Sequence, residues 1–291
     1  LGRSDTQSVT VNLPATVSFQ YDDNGNLTGD GQRVFAYDDE NQLRSVEVTN
    51  AWRVTFVHDG LARKRVRREY GLSGSSSNLV SETRYVYDGR QVIQERDGNN
   101  LPVVTYTRGL DLSGSLEGAG GIGGLLARTD HSTITPSHAY YHSDGNGNVT
   151  ALANDKQLIV ARYVYDPFGN MIGMAGPLAE ANAYRFSSKE WDAKAGIYYY
   201  GFRFYEPNLQ RWLNPDPLGE EGGVNLYGFV ANDAVNTIDP FGLQVQPILT
   251  FEPSGPGKRI GDFFGFVEFL GEKIFGDRVT TEALMVYFGG R

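Results

Sequence analysis

Three Asp-Pro-x-Gly tetrapeptides punctuate the chain, beginning at Asp166, Asp216 and Asp239. Asp first, Pro second and Gly fourth is the residue order of a type I turn, and turn chemistry alone accounts for all three. Such carboxylates become reactive when two are brought together. Two carboxyls about 3 Å apart cannot both ionise, so they share one proton. The charged partner then activates a water while the protonated one polarises a peptide carbonyl. A neighbouring arginine orients a carboxylate and holds its pKa down.

Other chemistries fare worse. There is no cysteine, which excludes a disulfide framework, a thiolate nucleophile and a thiolate metal site. His58, His131, His138 and His142 lack metal-site spacing, because His138 and His142 would be neighbours only on a helix and Ala139-Tyr140-Tyr141 reads as strand. Gly118-Ala119-Gly120-Gly121-Ile122-Gly123 has no parallel βαβ pattern around it and reads as a turning loop, not a nucleotide cradle. The basic run Arg63-Lys64-Arg65-Val66-Arg67-Arg68 splits between two faces of a strand, so a solvated or acid-paired surface is expected. No cofactor is expected. The formal net charge of −9 argues against nucleic acid as a partner. No apolar run reaches the roughly eighteen residues that suggest a transmembrane helix. The chain opens on Leu1 with no basic and apolar leader pattern behind it, which suggests processing or a piece of a longer chain.

The elements that must position these residues are strands. Glycine is 36 of 291 residues, with 17 Tyr and 16 Phe, a balance of turn formers and strand-favouring aromatics. A degenerate unit recurs. Tyr21-Asp22-Asp23-Asn24-Gly25-Asn26-Leu27 is echoed by Tyr37-Asp38-Asp39-Glu40-Asn41-Gln42-Leu43, His58-Asp59-Gly60-Leu61 and Tyr87-Asp88-Gly89-Arg90. His142-Ser143-Asp144-Gly145-Asn146-Gly147 and Tyr165-Asp166-Pro167-Phe168-Gly169-Asn170 continue it. Each gives an aromatic or His, then Asp, then a glycine-containing turn, where Asp and Asn bond the local backbone and Gly supplies positive φ. Flanking stretches such as Gln32–Tyr37 and Glu82–Tyr87 alternate as strands do. A lone hairpin is marginal in water, so neighbours must stack side by side. Two stretches break the pattern. Gly109 to Leu126 is a glycine-rich, flexible or tightly turning connection. Beyond Leu243, prolines lead into Ile260–Phe275, whose apolar residues fall at helical spacing.

These units resemble the YD repeats of bacterial Rhs proteins, the C components of insecticidal toxin complexes, and teneurins. A longer series resembles the Rhs core-associated region: Tyr198-Tyr199-Tyr200-Gly201-Phe202-Arg203-Phe204-Tyr205-Glu206-Pro207, then Arg211-Trp212-Leu213-Asn214-Pro215-Asp216-Pro217-Leu218-Gly219, then Asn225-Leu226-Tyr227, Asn232 and Asp239-Pro240-Phe241-Gly242-Leu243. Together the two cover about residues 15–243. Asn214 stands before Pro215 where the family more often has Ser, which leaves the carboxylate in place.

The resemblance implies an all-β, antiparallel β-hairpin wall of a hollow shell over 1–183, a self-cleavage region over 184–243, and a variable tail or effector start over 244–291. It further implies an aspartic-peptidase-like pair, Asp216 and Asp239, supported by Arg203, that cuts between Leu243 and Gln244. Asp166 stays a turn residue. The cargo would be the chain's own C-terminal segment, and the setting secreted or cell-surface. Open sheet edges would be covered by the remainder of a longer chain or by other copies. Two other functions compete: a non-cleaving structural or adhesive cell-surface protein with the same wall, and a carbohydrate-binding β-module using exposed aromatics. Retention of Asp216, Asp239 and the Gly-Leu that follows favours cleavage over the first, and nothing in the sequence selects for the second.

Overall fold

The structure, a computed structural model, describes residues 17–132 and 135–248. One antiparallel sheet carries β1 (Gln20–Tyr21), β2 (Leu27–Gly29), β3 (Val34–Tyr37), β4 (Leu43–Val48) and β5 (Trp52–His58). It continues through β6 (Lys64–Ser73), β7 (Ser76–Asp88), β8 (Gln91–Arg96), β9 (Pro102–Arg108) and β10 (Leu125–Asp130). It ends with β11 (Ser137–Ser143), β12 (Val149–Asn154), β13 (Ile159–Tyr165) and β14 (Met171–Ala175). All fourteen strands pair in chain order, which makes the sheet a single meander. Helix among the described residues is confined to three short 3₁₀ turns. The expected all-β antiparallel fold is the fold observed.

Alternation decides which face is buried. In β5 Val54 and Phe56 are buried while Val57 between them and the turn is exposed; in β13 Ala161 and Tyr163 are buried and Arg162 and Val164 exposed. Against the buried face lies a second sheet of β15 (Glu190–Asp192), β16 (Ile197–Tyr199), β17 (Phe204–Glu206) and β18 (Arg211–Trp212). Phe35, Val46, Val54 and Phe56 of the large sheet share a core with Ile197, Phe204 and Leu213 of this region. Beside it Tyr198, Tyr200, Tyr205, Trp212 and Phe229 form an aromatic cluster, with Tyr205 and Phe229 stacked at 3.8 Å between centroids.

Six aspartates share one turn geometry. In Asp22, Asp38, Asp59, Asp97, Asp144 and Asp166 the Oδ1 accepts the backbone N–H groups two and four residues on. The fourth position is left-handed whether it holds Gly25, Asn41 or Ala62, so glycine is favoured there but not required. In three units the tyrosine ahead of the Asp latches the neighbouring hairpin. Tyr37, Tyr87 and Tyr165 donate their hydroxyls to the carbonyls of Leu27, Lys64 and Val149 at 3.0, 2.8 and 2.9 Å.

The basic run in β6 is paired with acids, but Lys64 departs from the surface reading. It is 1% exposed and its Nζ lies 2.7 Å from Glu190 Oε1. The glycine-rich connection is a tight turn organised by Asp111, whose Oδ2 accepts the N–H groups of Ala119 and Gly121 at 2.7 and 3.1 Å. The helical spacing over 260–275 lies outside the described residues.

Candidate active site

Arg203 precedes β17, Asp216 follows β18, and Asp239 follows β19 (Thr237–Ile238), which pairs with β20 (Gln246–Pro247). All three charged side chains are buried, as is Leu243, while Gln244 is exposed. One guanidinium nitrogen joins the carboxylates: Arg203 Nη2 lies 2.7 Å from Asp216 Oδ2 and 3.6 Å from Asp239 Oδ2. Arg203 also donates from Nε to the Gly242 carbonyl at 2.5 Å and from Nη1 to the Leu226 carbonyl at 3.1 Å. It therefore reads both carboxylates and the peptide immediately before Leu243.

Both aspartates keep the turn geometry of the large sheet. Asp216 Oδ1 accepts Leu218 N–H at 2.9 Å, and Asp239 Oδ1 accepts the N–H groups of Phe241, Gly242 and Leu243 at 3.2, 2.7 and 3.0 Å. The difference lies in the second oxygen. At Asp166 the Oδ2 is taken by its own turn's Asn170 Nδ2 at 2.7 Å, and Asp22 and Asp144 do the same with Asn26 and Asn148. At Asp216 and Asp239 the second oxygen faces Arg203 instead. Asp166 is not part of the cluster.

Burial pushes the Asp216 carboxyl up to about 6, against the opposing pull of Arg203. Burial also raises Asp239, opposed by Arg203 and by the three N–H bonds of its turn. Burial is the leading cause of both shifts.

Three contributors were not anticipated from sequence. A Cβ on Gly222 would meet Asp216 Oδ2 at 2.5 Å and the Leu243 carbonyl oxygen at 2.9 Å, so that glycine leaves room for carboxylate and carbonyl side by side. The β19–β20 pair, Thr237 with Pro247 and Ile238 with Gln246, holds the chain on both sides of residues 239–245. Lys189, buried, donates from Nζ to the Pro240 carbonyl at 2.6 Å. A two-residue strand and a lone glycine carry no sequence signal of their own. Lys189 had none either, one of three charges in the mixed stretch Tyr184 to Trp191.

No family model matches the chain. It is 29% identical over 234 residues to the tRNA3(Ser)-specific nuclease WapA of Bacillus spizizenii, covering 77% of this chain and 9% of that protein. It is 42% identical over 106 residues to toxin subunit YenC2 of Yersinia entomophaga, covering 35% of this chain and 11% of that one. The chain thus spans 9% and 11% of the lengths of these curated relatives. Its fold is similar to a chain of the Photorhabdus luminescens Tc holotoxin pore, with a TM-score of 0.58 at 22% identity, covering 80% of this chain and 11% of that one. The chain is similar to toxin-complex subunits and toxin-like proteins in sequence, and shares the toxin-complex fold.

Proposed function

We propose that this region is an Rhs-type wall that cuts itself once between Leu243 and Gln244, using Asp216 and Asp239, and so frees the segment that follows. One observation carries the reading: Arg203 gathers both carboxylates and the Gly242 carbonyl, while the Leu243 carbonyl sits beside Asp216 Oδ2 at Gly222. Asp239, whose anion is supported by Arg203 and three N–H bonds against the effect of burial, takes a proton from water. The water oxygen bonds to the Leu243 carbonyl carbon, and Asp216 gives its proton to the carbonyl oxygen. Collapse of the tetrahedral adduct breaks the Leu243–Gln244 bond, with a proton passing to the Gln244 nitrogen. The products are a Leu243 carboxylate end and a free Gln244 amine. Catalyst and substrate share one loop closed by β19 and β20, and such tethering supplies a high effective concentration.

On this reading residues 1–183 form the wall, 184–243 the cleavage region, and 244–291 the cargo or its beginning. The relatives' names, a tRNA nuclease and a toxin subunit, support an effector role and a secreted or cell-surface setting for the longer protein. The edges at β1 and β14 are the places for the remainder of such a chain, or for other copies, to continue the sheet.

A second reading, a non-cleaving structural or adhesive protein, is favoured by the Asp239 turn, whose three N–H bonds would serve a purely architectural aspartate equally well. The intact mass of the wild type beside Asp216→Asn and Asp239→Asn separates the two. Self-cleavage requires two pieces from the wild type and one from each variant. The same outcome for all three proteins returns both aspartates to the role of turn residues.

A further inference from the structure

We propose that Lys189 is a positioning residue for the cleavage described above, clamping the scissile turn to the glycine-rich connection between β9 and β10; the inference rests on that reading. Lys189 is 7% exposed, and a buried ammonium without a partner is costly. No carboxylate among the described residues forms an ion pair with it. Its Nζ instead donates to two carbonyls, Pro240 at 2.6 Å in the scissile turn and Gly120 at 2.8 Å in the glycine-rich connection. The rings of Tyr200 and Phe241 flank the charge at 5.3 and 6.0 Å.

The clamp completes a series. Within the turn, the Pro240 carbonyl is held by Lys189, the Phe241 carbonyl by Phe202 N–H at 3.1 Å, and the Gly242 carbonyl by Arg203 Nε at 2.5 Å. The next carbonyl is that of Leu243, the one to be attacked. Register at Leu243 is therefore set by three consecutive anchors, and Lys189 is the one that reaches the large sheet's own connection. Gly120 makes this approach possible, because a Cβ there would lie 1.9 Å from the Pro240 oxygen.

The charged groups facing Lys189 are Asp239 from the turn, Asp111 from the glycine-rich connection and Arg108 from the end of β9. Burial lowers the Lys189 ammonium to about 7, with Asp239 opposing that fall. The attraction is mutual, so a protonated Lys189 favours the ionised form of Asp239 that removes the water's proton.

The test follows the first-order cleavage rate of the intact chain, made by cell-free synthesis, across a pH series, with the unfolding midpoint measured on the same samples. Lys189→Met is expected to slow cleavage on the order of a hundredfold, the scale of a small misplacement at a reacting centre. Its acid limb should move to higher pH, because Asp239 loses a neighbouring cation. Lys189→Arg should recover part of the rate. Gly120→Ala, which keeps the lysine but displaces the Pro240 carbonyl, should also slow cleavage, and it decides the matter if Lys189→Met does not fold. Wild-type rate and pH profile in Lys189→Met, or a wild-type rate in Gly120→Ala, overturns the inference and leaves self-cleavage standing. A wild type that stays uncut overturns both.

Discussion

Asp216 and Asp239 differ from Asp22, Asp144 and Asp166 by one oxygen. In each the Oδ1 is committed to a turn, as in Asp22 or Asp144, and only the partner of Oδ2 changes, from a neighbouring Asn to Arg203. A turn thus fixes a carboxylate firmly while leaving its second oxygen for chemistry. The pH dependence follows. In the proposed mechanism Asp216 is the acid and must be protonated; with its carboxyl raised to about 6, the protonated fraction grows as pH falls through that value. Cleavage should therefore quicken as pH falls through that value and slow again where Asp239 in turn takes up a proton, a bell read from rates across the series. A rate that rises with alkalinity would remove Asp216 from the acid's role. Gly222 gives a second residue-scale prediction. An added methyl meets the mobile end of Asp216 at 2.5 Å and would move that carboxylate off Arg203. Gly222→Ala should slow cleavage by about tenfold to a hundredfold while leaving the unfolding midpoint near that of the wild type. Rate and midpoint falling together would make Gly222 a folding residue instead.

Between elements, the tie from large sheet to cleavage region is polar as well as apolar. Lys64 in β6 and Tyr85 in β7 both meet Glu190 Oε1 of β15 at 2.7 Å, and Arg67 donates to both carboxylate oxygens of Asp192 at 2.7 and 3.1 Å. Removing one member of a buried pair leaves an uncompensated charge, which costs about 3–5 kcal/mol. Lys64→Met should lower stability by that order in denaturant titration, and adding Glu190→Leu should restore much of it. A Lys64→Met protein as stable as the wild type would mean that the pair contributes nothing to stability. The strands were legible because Val54, Phe56, Ala161 and Tyr163 alternate with outward residues, and the turns because Asp bonds its own backbone. The burial of Lys64 was not, since its partner Glu190 lies 126 residues away and no local pattern links them. The same holds at the site. Asp216, Asp239 and Arg203 came from the resemblance, whereas Lys189 and Gly222 act through contacts that only the packed chain creates. Tyr37, Tyr87 and Tyr165 lay between these cases: their strand preference was readable, their hydroxyl latch to the preceding hairpin was not.

At the scale of the molecule, a fourteen-strand meander leaves β1 and β14 each with one neighbour among the described residues. β14 carries Ile172 at 68% exposure and Met174 at 41%, the profile of an edge that other chain would cover. Expressed as this chain alone, the protein should self-associate, and Ile172→Lys should shift it toward monomer in light scattering; monomer from both would show that the edge needs no cover. The account as a whole turns on where the chain is cut. Two bonds in the same loop compete, Leu243–Gln244, placed beside Asp216, and Asp239–Pro240, an acid-labile linkage that breaks without an enzyme. N-terminal sequencing of the C-terminal fragment formed at mildly acidic pH distinguishes them. Self-cleavage by the carboxylate pair predicts a fragment beginning at Gln244; one beginning at Pro240, or no fragment, would contradict it.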